Sequence, residues 1–106
     1  MAAVDTKRTA LKRLEKERLN LLGQLEDLAQ EAAEHRLVLK TLCELPEDRR
    51  CYRIVGGVAV ERTVAEVKPA LETHATRVES AQKKVDEQLN FINEEISKLA
   101  GDVRGA

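Results

Sequence analysis

Apolar residues recur along this chain in steps of three and four. From Lys7 the positions Leu11, Leu14, Arg18, Leu21, Leu25, Leu28, Ala32, His35, Leu39 and Leu42 share one helix face. This is a sustained heptad seam, interrupted by Arg18 and His35 and widened by Leu22 and Ala29. It predicts a first helix over about 7–45, roughly 55 Å long at about 1.5 Å per residue. Residues Met1 to Thr6 are expected to fray. Gly23 lies inside this helix and should cost about 1 kcal/mol relative to Ala. Pro46 ends it by disfavouring helical geometry at Leu45.

A second seam runs Val64, Val67, Leu71, His74, Val78, Ala81, Val85, Leu89, Ile92, Ile96 and Leu99. It predicts a helix over about 63–100. The steps from Val78 through Ala81 and Val85 to Leu89 are three, four and four, which locally unwinds a left-handed supercoil. Thr63 and Glu66 form a capping-box pattern at its start. Pro69 should kink or loosen the first turns. Gly101 is expected as a C-cap, followed by a disordered tail from Asp102 to Ala106.

Between the helices the period changes from 3.6 to 2. After a charged connection from Glu47 to Arg50, residues 51–62 read Cys-Tyr-Arg-Ile-Val-Gly-Gly-Val-Ala-Val-Glu-Arg. Two glycines between β-branched runs predict a two-residue hairpin, because a primed turn needs φ > 0. The pairing sets Val55 opposite Val58, Ile54 opposite Ala59 and Arg53 opposite Val60. One face carries Val55, Val58 and Val60, the other Tyr52, Ile54 and Ala59. Both faces are substantially apolar and both edges are open. A lone hairpin of this kind is marginal in water and invites pairing. With no other strand in the sequence, Tyr52, Ile54, Val55, Gly56, Gly57, Val58, Ala59 and Val60 become the candidate oligomerisation element.

These elements predict an all-α dominated fold: a long antiparallel two-helix coiled coil with a single β-hairpin between the helices. Residues 1–106 are read as one domain. Leu42 is expected near Val67 or Leu71, and Leu14 near Ile96 or Leu99.

Composition agrees with long helices. Of 106 residues, 35% are charged and only 2% aromatic, fewer large side chains than a compact globule of this length uses. A net charge of −1 argues against a nucleic-acid partner, and Lys and Arg are interspersed with Glu and Asp rather than gathered in a basic stripe. No apolar run approaches the roughly 18 residues of a membrane span, so no membrane partner is expected. Met1 to Asp5 offer no signal-peptide core, which predicts a cytoplasmic protein. Cys43 and Cys51 are read as reduced thiols.

No catalytic constellation stands out. Gly56-Gly57 lacks the spacing of a phosphate loop, and Glu94-Glu95 and Glu47-Asp48 are adjacent pairs that do not share a helix face. No catalytic, cofactor-binding or metal residue is assigned, and no enzyme is expected. His35 and His74 fall on the two seams in the same or neighbouring layers. They are read as a polar layer that fixes register, with a metal pair or a pH sensor as the sharper alternatives.

The open helix ends carry another signal. Lys7, Arg8, Lys12 and Arg13 open the first helix, and Glu94 and Glu95 lie near the end of the second. Both signs oppose the macrodipole and predict fraying. Leu11, Leu14, Phe91, Ile92, Ile96 and Leu99 sit there, more than a two-helix end is expected to bury. They are the candidate client-binding tip.

The stretch from Glu34 to Leu42, followed by Cys51 to Leu71 (CYRIVGGVAVERTVAEVKPAL), resembles the subunit-2 branch of the β-type prefoldin family. The resemblance is specific over about residues 34–71 and pattern-level in both helices. The single hairpin matches the β-type, since α-type subunits carry two. The long polar C-terminal tail of that branch has no counterpart here. The resemblance implies a hetero-hexamer with other prefoldin subunits, two α-type and four β-type, whose hairpins form a double β-barrel. It implies an ATP-independent co-chaperone whose coiled-coil tips hold non-native actin and tubulin and deliver them to the cytosolic chaperonin. Two other readings compete: a structural scaffold subunit of a prefoldin-like complex that binds no client, and an RNA-binding helical arm.

Overall fold

The computed structural model describes residues 2–105. The element order is α1 (Ala2–Cys43), β1 (Arg50–Val55), β2 (Val58–Thr63) and α2 (Val64–Gly105). Two long helices with an antiparallel hairpin between them are the fold that the hydrophobic pattern predicts. Packing divides the chain into two compact units. One combines the residues up to Leu28 with those from Ala81 on, and the other is Ala29–Ser80.

In the first unit the two seams meet. Leu21, Val85, Leu89 and Ile92 are buried together, with Leu14, Leu25, Leu28 and Ile96 packed against them. Leu14 and Ile96 therefore belong to one cluster, as the antiparallel pairing predicts. Fully burying each such aliphatic side chain contributes about 1.5–3 kcal/mol. This packing, rather than helix propensity, holds both helices.

The helix ends here differ from expectation. α1 begins at Ala2 rather than near Lys7, and α2 runs to Gly105 rather than stopping near Leu99. Val4 lies one heptad before Leu11, Val103 four residues after Leu99, and both are half-buried. The first seam thus runs a heptad further than expected at the start of α1, and the second one four-residue step further at the end of α2. Lys7 Nζ and Asp102 Oδ2 pair across the helices at 3.4 Å. Gly101 consequently lies inside the helix and is no cap, and Arg104 Nε donates to the Ala100 carbonyl at 3.3 Å. The dipole expectation reverses with the new ends. Asp5 stands in the first turn of α1 and Arg104 in the last turn of α2, both of the favourable sign.

The second unit contains the hairpin and the helix segments that flank it. Leu42, Val64 and Val78 are its buried residues, and Val64 is fully enclosed. α1 stops at Cys43, two residues before Leu45-Pro46. The chain leaves it through i to i+3 bonds from the Glu44 and Leu45 N–H groups to the Thr41 and Leu42 carbonyls. The loop then serves α2. Val64 N–H donates to the Arg49 carbonyl and Ala65 N–H to the Glu47 carbonyl, each at 3.0 Å. Glu66 N–H donates to Thr63 Oγ1 at 3.4 Å, and that hydroxyl donates to Glu66 Oε1 at 3.1 Å. Only half of the capping box forms. Thr63 still belongs to β2, paired with Arg50, and its hydroxyl rather than its backbone N–H meets the carboxylate.

Pro69 does not break α2, which is helical from Val64 through Gly105. As the sixth residue of the helix, Pro69 withholds the N–H that would reach the Ala65 carbonyl. The loop carbonyls and Thr63 hold the first turn from outside the helix and offset that loss.

Candidate functional site

Two surfaces correspond to the candidate residues. In the hairpin, β1 and β2 pair antiparallel with Val55 opposite Val58, Ile54 opposite Ala59 and Arg53 opposite Val60, the register the glycine pair predicts. Gly56 and Gly57 have φ of 55° and 81°, a type I′ turn in which both central residues are left-handed. The ladder extends to Arg50 and Thr63, one residue further on each side than the sequence boundaries of 51 and 62. Arg50 Nε meets Glu61 Oε1 at 3.1 Å, and this exposed pair closes the base of the ribbon.

The two hairpin faces are unequal. Val60 and Cys51 are half-buried, and Arg53 from the same face lines a small cavity of the second unit with His35, Leu71 and His74. On the other face only Thr63, at the base of the ribbon, is half-buried among the described residues. Tyr52 and Ile54 are 69% and 78% exposed, and Ala59, opposite Ile54 on β2, is exposed too. Val55 and Val58 flank the turn and are also exposed. The sheet has two strands, β1 and β2, so both outer edges keep unpaired N–H and C=O groups. Leu37 and Val38 on α1 are exposed too, which the sequence reading did not single out. They lie off the seam.

The second candidate surface lies in the first unit. Leu11, Leu14, Ile96 and Leu99 are half-buried and Ile92 is 6% exposed, so five of the six candidates turn into the seam. A two-helix end does not fully bury all six, as expected, although the seam that Val4 and Val103 continue half-covers four of them and buries Ile92. Phe91 is the exception at 62% exposed. It lines an open groove of about 520 Å³ with Leu14, Leu21 and Ile92, whose charged lining includes Glu17 and Lys84. Leu22 and Ala29 are exposed and do not widen the seam, and Leu19 is exposed beside them.

Of the two polar interruptions of the first seam, Arg18 is exposed and its head reaches water. His35 and His74 meet edge to face, with ring centroids 4.6 Å apart and planes at 89°. His35 is half-buried, and its Nδ1 is buried without a hydrogen-bond partner. His74 is exposed, and its Nε2 lies 3.2 Å from Glu31 Oε1. Glu31 was missed as a member of this layer. Its i, i+4 spacing from His35 was the available signal. Cys43 and Cys51 are free thiols. No helix among the described residues is long and apolar enough to cross a membrane.

Comparison with known proteins agrees with this geometry. The chain is similar to prefoldin subunit 2 of human, with 42% identity over 87 residues, covering 82% of this chain and 56% of that protein. It is similar to a probable prefoldin subunit 2 of Schizosaccharomyces pombe, with 38% identity over 88 residues, 82% of this chain and 77% of the other. The chain thus spans little more than half the length of its mammalian relatives. A crystal structure of the prefoldin beta subunit from Thermococcus strain KS-1 superposes with a TM-score of 0.89 at 19% identity, covering 99% of this chain and 92% of that one. That likeness establishes the fold. The family model described as prefoldin subunit matches residues 6–105, nearly the whole sequence, and the chain belongs to the prefoldin subunit family.

Proposed function

We propose that this chain is a β-type subunit of a hetero-hexameric, ATP-independent holdase, joined to α-type and other β-type subunits through its hairpin. The observation that carries this reading is the uncovered apolar hairpin, with Tyr52, Ile54, Val55 and Val58 exposed beside two open edges. Burying four such side chains against neighbouring hairpins would contribute several kcal/mol per subunit, at about 25 cal/mol per Å² of apolar area. Residues 1–106 act as one β-type module in this reading, and no catalysis is assigned to them.

The assembly captures non-native proteins such as actin and tubulin in the cytosol and passes them to the cytosolic chaperonin. Phe91 and its groove supply the apolar contact on this subunit. One weak contact retains little, but six arms around a shared cavity convert weak contacts into retention through effective concentration. Weak contacts also allow release without nucleotide hydrolysis.

A scaffold reading, in which the subunit assembles but binds no client, draws support from the five candidate residues folded into the seam. Two measurements separate the readings. Native mass measurement after co-expression with α-type subunits should give a hexamer. That hexamer should suppress aggregation of denatured actin as it is diluted from denaturant. A hexamer without suppression would leave the scaffold, and a chain that stays monomeric would remove both.

A further inference from the structure

The layer of Glu31, His35 and His74 is built like a metal site. Each residue offers one ligand atom, and these atoms lie within 4.8 Å of one another. Glu31 and His35 stand one turn apart on α1, and His74 comes from α2, so the three donors converge from two helices of the same unit. The buried Nδ1 of His35 has no partner, an arrangement that leaves a polar group desolvated without compensation. Neutral imidazole and carboxylate are the donor set of three-ligand zinc sites, with water in the fourth position.

We propose that Glu31, His35 and His74 bind one divalent transition metal ion of the zinc class, which clips α1 to α2 in the hairpin-bearing unit. Tetrahedral bonds of about 2.0–2.2 Å place ligand atoms about 3.4 Å apart. The donors must therefore draw in from 4.8 Å at their widest. Glu31 and His74 can make that movement, since their side chains are 43% and 49% exposed. His35 is the more fixed partner. A bound ion would replace the contact between Glu31 and His74.

The neighbouring charges set the selectivity. Arg53 and Arg77 line the adjacent cavity with the two histidines, and they repel a cation held by charge alone. Only a metal that bonds strongly to imidazole offsets that repulsion. Zn²⁺ qualifies, whereas Mg²⁺ prefers an octahedron of oxygens and keeps its water.

The test is Zn²⁺ titration of the full chain by calorimetry, with Cys43→Ser and Cys51→Ser introduced so that thiols cannot hold the ion. One Zn²⁺ per chain should bind and raise the melting temperature, and Mg²⁺ at the same concentration should do neither. Co²⁺ in place of Zn²⁺ should give the visible absorption of a tetrahedral site. His74→Gln and His35→Gln should each weaken Zn²⁺ by about 100-fold or more, beyond the roughly 10- to 100-fold lost with an outer-shell partner. Far-UV circular dichroism of each metal-free variant checks that the helices persist. If His35→Gln unfolds the chain, His74→Gln decides alone, because that side chain is about half exposed and the less buried of the two rings. Absence of Zn²⁺ binding in the serine background, or binding that survives His74→Gln, overturns the site.

Discussion

Phe91 and Ile92 are neighbours in sequence with opposite placements, and substituting each by alanine separates stability from function. Ile92 is 6% exposed in the cluster with Leu21, Val85 and Leu89. Ile92→Ala removes three buried carbons and leaves a void that two helices fill only in part, for a loss of about 2–5 kcal/mol. Phe91 is 62% exposed, so little more than a third of it is covered. A third of the roughly 3 kcal/mol for a fully buried Phe is about 1 kcal/mol. Alanine is the better helix former by about 0.5 kcal/mol, which offsets half of that loss. Phe91→Ala should therefore change stability by less than about 1 kcal/mol. Urea unfolding of the full chain within its assembly, followed by circular dichroism, reads both numbers. On the proposed function, aggregation suppression should fall with Phe91→Ala while the melting curve barely moves. Equal destabilisation by the two substitutions would refute the placement of Phe91. Unchanged suppression by Phe91→Ala would remove the groove as a client surface.

Ile54→Asp or Val58→Arg places an unpaired charge where a neighbouring hairpin would bury it, and each should abolish assembly in size-exclusion while leaving helicity largely intact. Gly57→Val puts a β-branched residue at a φ of 81° and should cost roughly 1–2 kcal/mol or more of hairpin stability, seen as a weaker assembly by native mass measurement. Lys7→Ala breaks a surface pair with both side chains about half exposed, and a shift beyond about 1 kcal/mol in urea unfolding would contradict its placement. His35→Leu with His74→Leu removes the unpartnered Nδ1 and should raise stability by about 1–3 kcal/mol in metal-free buffer without altering assembly. A lower melting temperature in that buffer would mean the rings carry packing that leucine cannot replace.

The sequence by itself determined the parts that rest on local periodicity. The heptad steps placed the buried residues Leu21, Leu42, Val64, Val78, Val85, Leu89 and Ile92, seven among the described residues, on the predicted seams. The glycine pair specified the type I′ turn and with it the strand register, because few other residues accept two successive positive φ values. The tertiary structure decided what depends on contacts distant in sequence. Val4 and Val103 continue the heptad steps, but one apolar residue near a chain end does not fix a helix boundary until a facing helix covers it. That cover, together with the Lys7 to Asp102 pair, goes with helices that run past the expected ends, and it leaves the seam residues Leu11, Leu14, Ile96 and Leu99 half-buried rather than exposed. Phe91 stayed out because it sits one residue, about 100° of helix rotation, from the buried Ile92. Glu31 joined the histidine layer for a related reason: its partner His74 lies 43 residues away, and only the folding of α2 against α1 brings their atoms to 3.2 Å.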